Sequence, residues 1–137
     1  VGTGAGLLAI VASLCGVDSV EALDIDPDCV RVARENMARN HRALDQSYCC
    51  DLADFRPARP YDFVAANLVS HDLVALRKRL LALVAPGGYL VVSGISLENL
   101  PRVQTTYKEL GLRCRRIRRG RQWAAVLYRK ADLREAA

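Results

Sequence analysis

The sequence predicts one α/β domain with a mostly parallel β-sheet, helices on both faces and an antiparallel hairpin at its C-terminal end. Short apolar segments alternate with helical segments, which is typical of a parallel sheet covered by helices. The final two strand-like segments are joined tightly around Gly120, which indicates the hairpin. The length of 137 residues suits a single domain, so we predict one domain over residues 1–137.

Four helices are predicted, each from its apolar spacing and its end signals. The sequence Asp26-Pro27 starts the second helix, and Gly16 and Gly111 end the first and the last. The helices are Gly6–Leu14, Asp28–Asn40 with Val30, Ala33 and Met37 on one stripe, a segment with Leu73, Leu76, Leu80, Leu81 and Val84 at helical spacing, and Glu98–Leu110.

Six strands are predicted from short apolar runs bounded by turn residues. The sequence Pro86-Gly87-Gly88 is expected to form a turn before the fourth of these strands. The strands are Val20–Ile25, Ser47–Leu52, Tyr61–Leu68, Tyr89–Ile95, Leu112–Arg119 and Gln122–Lys130. Tyr61 and Trp123 are expected to pack in the core or at a sheet edge.

The chain opens on a glycine-rich loop, VGTGAG, from Val1 to Gly6. Such a loop normally connects a buried strand to a helix, so the alternation predicts a further strand ending immediately before Val1. We therefore expect that the first, central strand is missing from this chain and that the chain is a portion of a longer polypeptide.

Composition excludes several classes of protein. No run of 18 apolar residues is present, so a membrane-spanning helix is not expected. The five cysteines are odd in number and form no CxxC pair, which argues against a disulfide scaffold or a zinc site. We predict no metal site and a cytoplasmic location, where thiols remain reduced.

Positive charge is concentrated near the C-terminal end. The chain carries a net charge of +5, and the segment Arg113–Arg121 contains six arginines. Such a patch can attract RNA or a ribonucleoprotein. Alternatively, the arginines discourage association between sheet edges. Both interpretations stay open on the sequence alone.

The glycine loop predicts a ligand site. Gly2, Gly4 and Gly6 let the backbone turn sharply and approach a ligand, and the following helix presents unpaired N–H groups suited to a carboxylate or a phosphate. The spacing GxGxG, with Leu7 after Gly6, fits the dinucleotide fingerprint poorly. A purely structural tight turn is the alternative.

Three polar residues follow predicted strands. Asp24 lies 18 residues past Gly6, and an acid at this point of the fold class accepts hydrogen bonds from ribose hydroxyls. Alternatively, Asp24 caps the next helix, although Asp26 can fill that role instead. Asp51 could reach an adenine edge or be a simple loop residue. Asn67 offers a donor and an acceptor to a substrate amine, or serves as a turn residue.

Together these stretches resemble the class I S-adenosylmethionine-dependent methyltransferases, which have a Rossmann-like fold. VGTGAG is similar to their first motif, LDIDP to their ribose-binding acid, CCDL to their adenine-side acid and LVAPGGYLVVSG to their turn into a later strand. Within the class, the chain most resembles the PrmA family, the ribosomal protein L11 methyltransferases, through VGTGAGLLAIVASLCG, ALDIDPDCVRVARENMARN, DFVAANLVSHDLVAL and WAAVLYRK.

The resemblance implies S-adenosylmethionine as cofactor, S-adenosylhomocysteine as product, and N-methylation of an amine of a ribosomal protein. It places Asn67 near the methyl group and the incoming amine, as the catalytic residue. The implied cofactor contacts are Gly2, Thr3, Gly4, Gly6, Asp24, Ile25, Asp51, Leu52 and Asn67. Methylation of RNA or of a small metabolite, and a non-catalytic domain of the same fold, are the alternatives.

This chain departs from the family in two respects. Family members carry Asn-Ile-Leu where this chain has Asn67-Leu68-Val69, which leaves the substrate open. The separate N-terminal substrate-recognition domain of the family is not in this sequence. His71 is the one candidate for a general base, although a histidine near a helix start is more often a capping or surface residue.

Overall fold

The computed structural model describes residues 1–132, which form six strands and five helices. They divide into two compact units: unit 1 is Val1–Phe55 and unit 2 begins at Arg56. The α/β class predicted from the alternating pattern is therefore confirmed.

Unit 1 is a two-stranded parallel sheet with two helices. Its elements are α1 (Leu7–Leu14), β1 (Glu21–Asp24), α2 (Pro27–Arg39) and β2 (Gln46–Cys49). The strands pair in register from Glu21 opposite Gln46 to Asp24 opposite Cys49, so their carboxyl ends lie side by side. Helix α2 buries Val30, Ala33 and Met37, the stripe that its spacing predicts.

Helix α2 begins where the sequence predicts it. The Asp26 carboxylate accepts a hydrogen bond from the Asp28 N–H at 2.8 Å, and Pro27 occupies the first turn, where no N–H is needed. Asp26 is therefore the cap, and Asp24 is not required for that task.

Unit 2 contains a four-stranded sheet in the order β3-β4-β6-β5. Strands β3 and β4 pair in parallel, whereas β6 pairs antiparallel with both β4 and β5, which confirms the C-terminal hairpin. The elements are β3 (Tyr61–Asn67), α3 (Ser70–Ala75), α4 (Arg77–Leu83), β4 (Val84–Ser96), α5 (Leu100–Glu109), β5 (Arg113–Arg119) and β6 (Trp123–Arg129).

Two predictions for unit 2 are wrong. The single helix expected across Leu73 and Leu80 is two helices, because Leu76 adopts φ −91° and ψ 8°, and each helix then buries one fully inaccessible leucine. The turn expected at Pro86-Gly87-Gly88 lies within β4, where the pairing with β3 shifts register.

The core of unit 2 contains a pair of stacked tyrosines. The rings of Tyr107 in α5 and Tyr128 in β6 lie 5.2 Å apart, and both residues are buried. The Tyr107 hydroxyl donates to the Leu73 carbonyl at 2.9 Å. The Tyr128 hydroxyl is buried and has no hydrogen-bond partner among residues 1–132.

Within the described part of the chain, no helix is both long enough and apolar enough to span a bilayer. The same residues contain no cluster of three histidine, cysteine or acidic side chains able to hold a metal ion. The five cysteines form no disulfide.

Candidate functional site

The glycine loop adopts a conformation that favours glycine at every second position. Gly2, Gly4 and Gly6 have φ angles of 64°, 50° and 82°. In this left-handed region a residue with a Cβ atom is strained. A Cβ added at Gly6 would also lie 3.0 Å from the Cα of Ala33 in α2. Gly6 therefore permits both the loop conformation and its close contact with α2.

Hydrogen bonds hold the loop against β1 and α2. The Gly6 N–H donates to the Thr3 carbonyl at 2.8 Å, and the Thr3 N–H donates to the Leu23 carbonyl at 3.1 Å. The Asn36 side-chain amide donates to the Ala5 carbonyl at 2.9 Å. The sequence did not predict this role of Asn36, because nothing in α2 indicates that its side chain would reach the backbone of the glycine loop.

Asp24 connects the glycine loop to the start of α2. One carboxylate oxygen accepts the Gly4 N–H at 2.9 Å, and the other accepts the Asp26 N–H at 3.1 Å. An ionised carboxylate has about four acceptor positions, so two remain for a ligand's hydroxyl groups. Asp24 is half-buried, which orients the carboxylate without removing it from reach.

The carboxyl ends of β1 and β2 form one edge of unit 1. The Cys50 N–H donates to the Asp24 carbonyl at 3.1 Å, which joins the two strand ends. Asp51 is exposed, and one of its oxygens accepts the Ala53 N–H at 2.8 Å. Ile25 is 68% exposed and offers an apolar surface, whereas the Leu52 side chain is buried.

The acidic side chains of this edge affect the neighbouring thiols. The pKa of the Cys29 thiol is raised by desolvation and then by the carboxylates of Asp24 and Asp26. The pKa of the Cys50 thiol is raised by desolvation and by nearby groups that include Asp51. Desolvation and the neighbouring carboxylates therefore both disfavour the thiolate form of these cysteines.

Asn67 belongs to unit 2, where it ends β3 and is exposed. Its side-chain oxygen accepts a hydrogen bond from the Ser93 hydroxyl at 3.1 Å. A Cβ added at Gly94 would lie 2.6 Å from the Leu68 carbonyl oxygen and 3.0 Å from the Asn67 side-chain oxygen. Gly94 and Ser93 thus shape the position of Asn67. A glycine inside a strand is the signal that could have found Gly94.

Two other features of unit 2 bear on the site predictions. His71 is exposed in the first turn of α3. A groove of about 600 Å³ lies between α5 and β5, and none of the predicted cofactor residues lines it. The predicted site is therefore the glycine loop and strand edge of unit 1, together with Asn67 in its own unit.

Solved structures identify the class to which this fold belongs. A crystal structure titled ribosomal protein L11 methylase, from Lactobacillus delbrueckii subsp. bulgaricus, matches with a TM-score of 0.86 and 30% identity, covering 94% of this chain and 67% of that one. The N-methyltransferase NodS from Bradyrhizobium japonicum WM9, in complex with S-adenosyl-L-homocysteine, matches with a TM-score of 0.67 and 17% identity, covering 89% of this chain and 74% of that one. The fold is that of the class I methyltransferases.

Sequence comparison narrows the class to one family. The family model described as ribosomal protein L11 methyltransferase (PrmA) matches residues 1–131, and the chain belongs to this family. The ribosomal protein L11 methyltransferase of Pelobacter propionicus is 39% identical over 132 residues, covering 95% of this chain and 42% of the relative. The chain thus spans less than half the length of this curated relative.

Proposed function

We propose that residues 1–137 form one S-adenosylmethionine-binding methyltransferase domain, whose protein methylates an amine of a ribosomal protein. The observation that carries this proposal is the Asp24 carboxylate, which is bonded to the Gly4 N–H of the glycine loop and retains acceptor positions for hydroxyl groups. The family match over residues 1–131 and the name of the relatives support the same activity.

The residues of unit 1 suit the separate parts of the cofactor. Gly2, Thr3, Gly4 and Gly6, with the first N–H groups of α1, would receive its carboxylate. Asp24 would accept hydrogen bonds from the ribose hydroxyls. Ile25 would contact the adenine ring, and Asp51 would accept a hydrogen bond from the adenine amino group. The Leu52 side chain is buried, so it would support this surface from within the core and would not contact the ring.

The charge of this edge favours a sulfonium nucleoside over a dinucleotide. Asp24 ends β1, and Asp26 and Asp51 follow the carboxyl ends of β1 and β2, where these acids would attract a cationic ligand. S-adenosylmethionine carries no phosphate, and its sulfonium and ammonium groups are cationic. The acidic edge and the GxGxG spacing therefore support the same ligand.

Methyl transfer requires alignment of the acceptor more than strong acid–base catalysis. The cofactor supplies a methyl group bonded to a positively charged sulfur, which leaves as a neutral thioether. We propose that Asn67, held by the Ser93 hydroxyl, uses its side-chain oxygen to orient the acceptor amine. A desolvated pocket lowers the pKa of an amine and favours its neutral, nucleophilic form. We assign no general-base role to His71.

Calorimetric titration of the complete protein with S-adenosylmethionine tests the cofactor site. We expect Asp24→Asn to weaken binding by about 10- to 100-fold, because hydrogen bonds to a charged group are lost. Asp18→Asn removes the same charge at an exposed position of unit 1 and should bind as the parent does. Absence of binding to the parent, or equal affinity of parent and Asp24→Asn, would contradict the assignment.

The acceptor is tested with radiolabelled S-adenosylmethionine and purified ribosomal protein L11. Asn67→Ala should lower kcat much more than it raises the cofactor Kd, because the main role proposed for Asn67 is to orient the amine. Label on deproteinised ribosomal RNA or on small amines instead of the protein would move the acceptor to those classes. Cofactor binding without transfer to any of these would indicate a non-catalytic domain.

We further propose that the reaction takes place in the cytoplasm. The five thiols, none of them in a disulfide, suit a reducing compartment, and ribosomal proteins are assembled there. Secretion of the complete protein, measured by cell fractionation, would contradict this location.

A further inference from the structure

Strand β5 presents an unusual density of positive charge at the edge of the unit 2 sheet. It pairs with β6 on one side only, and six of its seven residues are exposed. Within residues 1–132, five arginines of this strand and its turn form no ion pair: Arg115, Arg116, Arg118, Arg119 and Arg121.

The pairing register places an aromatic side chain on the same face as two of these arginines. Arg116 lies opposite Leu127 and Arg118 lies opposite Ala125. Because side chains alternate along a strand, Trp123 points to the same face as Ala125 and Leu127. Trp123 is 57% exposed, so the expectation that it packs in the core or at a sheet edge is wrong.

We propose that this face, the Arg116–Trp123 face, binds single-stranded RNA. Guanidinium groups would pair with backbone phosphates, and the Trp123 ring would stack on a base. The inference goes beyond methyl transfer, since it requires neither the cofactor nor the acceptor amine.

Charge and exposure together favour RNA over the alternative interpretations. Protection of a sheet edge needs only charge, and it leaves the exposure of Trp123 on the arginine-bearing face unexplained. An acidic peptide would satisfy the arginines but offers no regular array of aromatic bases. A nucleic-acid strand supplies both phosphates and stacking surfaces at successive nucleotides.

The expected contribution of the arginines follows from counterion release. On a single strand each neutralised phosphate contributes a salt slope of about 0.7, which corresponds to about fivefold in affinity at 0.1 M salt. Replacing Arg116 and Arg118 should therefore weaken binding by about 25-fold and reduce the slope by about 1.4. Loss of the stacking ring should weaken binding by about 10-fold or more with little change in slope.

The test uses the complete protein and a fluorescein-labelled 20-nucleotide single-stranded RNA, followed by anisotropy between 50 and 300 mM salt. The test variants are the double variant Arg116→Gln, Arg118→Gln and the single variant Trp123→Leu. The matched control is the double variant Arg42→Gln, Arg59→Gln, which removes two exposed positive charges elsewhere. Unlabelled RNA provides a second measurement, because Trp123 is the only tryptophan and its emission reports stacking directly.

We expect RNA to quench Trp123 emission, both test variants to bind weakly, and the control to bind nearly as the parent does. Equal losses in the test and control double variants would overturn the proposal, as would unchanged Trp123 emission at saturating RNA. Binding to phosphatidylglycerol vesicles or polyglutamate in preference to RNA would also overturn it. Methyl transfer to free ribosomal protein should persist in the test variants, so failure of RNA binding and failure of the proposed methyltransferase are separately visible.

Discussion

Gly6 and Gly16 provide a matched pair for testing why the glycine loop needs glycine. Both have a φ of 82°, so replacement by alanine places a Cβ atom in the same strained backbone region at each position. They differ in their surroundings. A Cβ at Gly16 meets nothing within 4 Å, whereas a Cβ at Gly6 lies 3.0 Å from the Cα and 3.1 Å from the Cβ of Ala33.

The difference between the two variants isolates the contact with α2. Left-handed strain costs each variant about 1–2 kcal/mol. Overpacking costs Gly6→Ala a further 1–3 kcal/mol or so, because the Ala33 backbone cannot rotate away as a long side chain would. We therefore expect Gly6→Ala to lose about 2–5 kcal/mol of unfolding free energy and Gly16→Ala about 1–2 kcal/mol.

Urea unfolding of both variants, followed by far-ultraviolet circular dichroism, measures these losses. Calorimetric titration with S-adenosylmethionine then shows whether displacement of the loop also weakens the proposed cofactor site, which we expect only for Gly6→Ala. Equal stability losses in the two variants would refute the reasoning, since the close approach to Ala33 would then contribute nothing.

Three further predictions concern groups outside the glycine loop. Tyr107→Phe should lower the unfolding free energy by about 1 kcal/mol, because a buried carbonyl of α3 loses its hydrogen-bond donor. Tyr128→Phe should raise the unfolding free energy by about 1 kcal/mol, because it removes a buried hydroxyl that has no partner in the described chain. Urea midpoints that move in the same direction for both variants would contradict this. Burial raises the pKa of the Tyr107 and Tyr128 hydroxyls above the unfolded value of about 10. The free energy of unfolding should therefore be constant below about pH 10 and then fall by about 1.4 kcal/mol per pH unit for each tyrosine. A free energy of unfolding that does not change up to about pH 11 would contradict this pH dependence. Asp26→Ala should cost about 1 kcal/mol through loss of the α2 cap, with Asp18→Ala as the nearly neutral control in the same thermal unfolding assay.

The elements defined by neighbouring residues could be predicted from the sequence. Asp26 and Pro27 mark the start of α2 because capping and the fixed φ of proline act within a few residues. The hairpin of β5 and β6 is equally local, since its two strands are joined by a short turn around Gly120.

The sequence was less informative where packing overrides a local pattern. The apolar spacing from Leu73 to Leu80 continues without a glycine or proline, so nothing in it indicates the break at Leu76. Trp123 was assigned to the core or a sheet edge on its residue type, but the register of β6 turns it outward. Residue type alone does not decide which face of a strand is covered.

The chemistry of the candidate site could be predicted from residue types and spacing, and its geometry could not. Three alternating glycines already predict left-handed backbone, because only glycine lacks the Cβ atom that strains it. The hydrogen bond from Gly4 to Asp24 joins residues 20 positions apart, and the contact of Gly6 with Ala33 depends on how α2 packs. Local conformation follows from short-range sterics along the chain, whereas partners distant in sequence are chosen only when the helices and strands pack together.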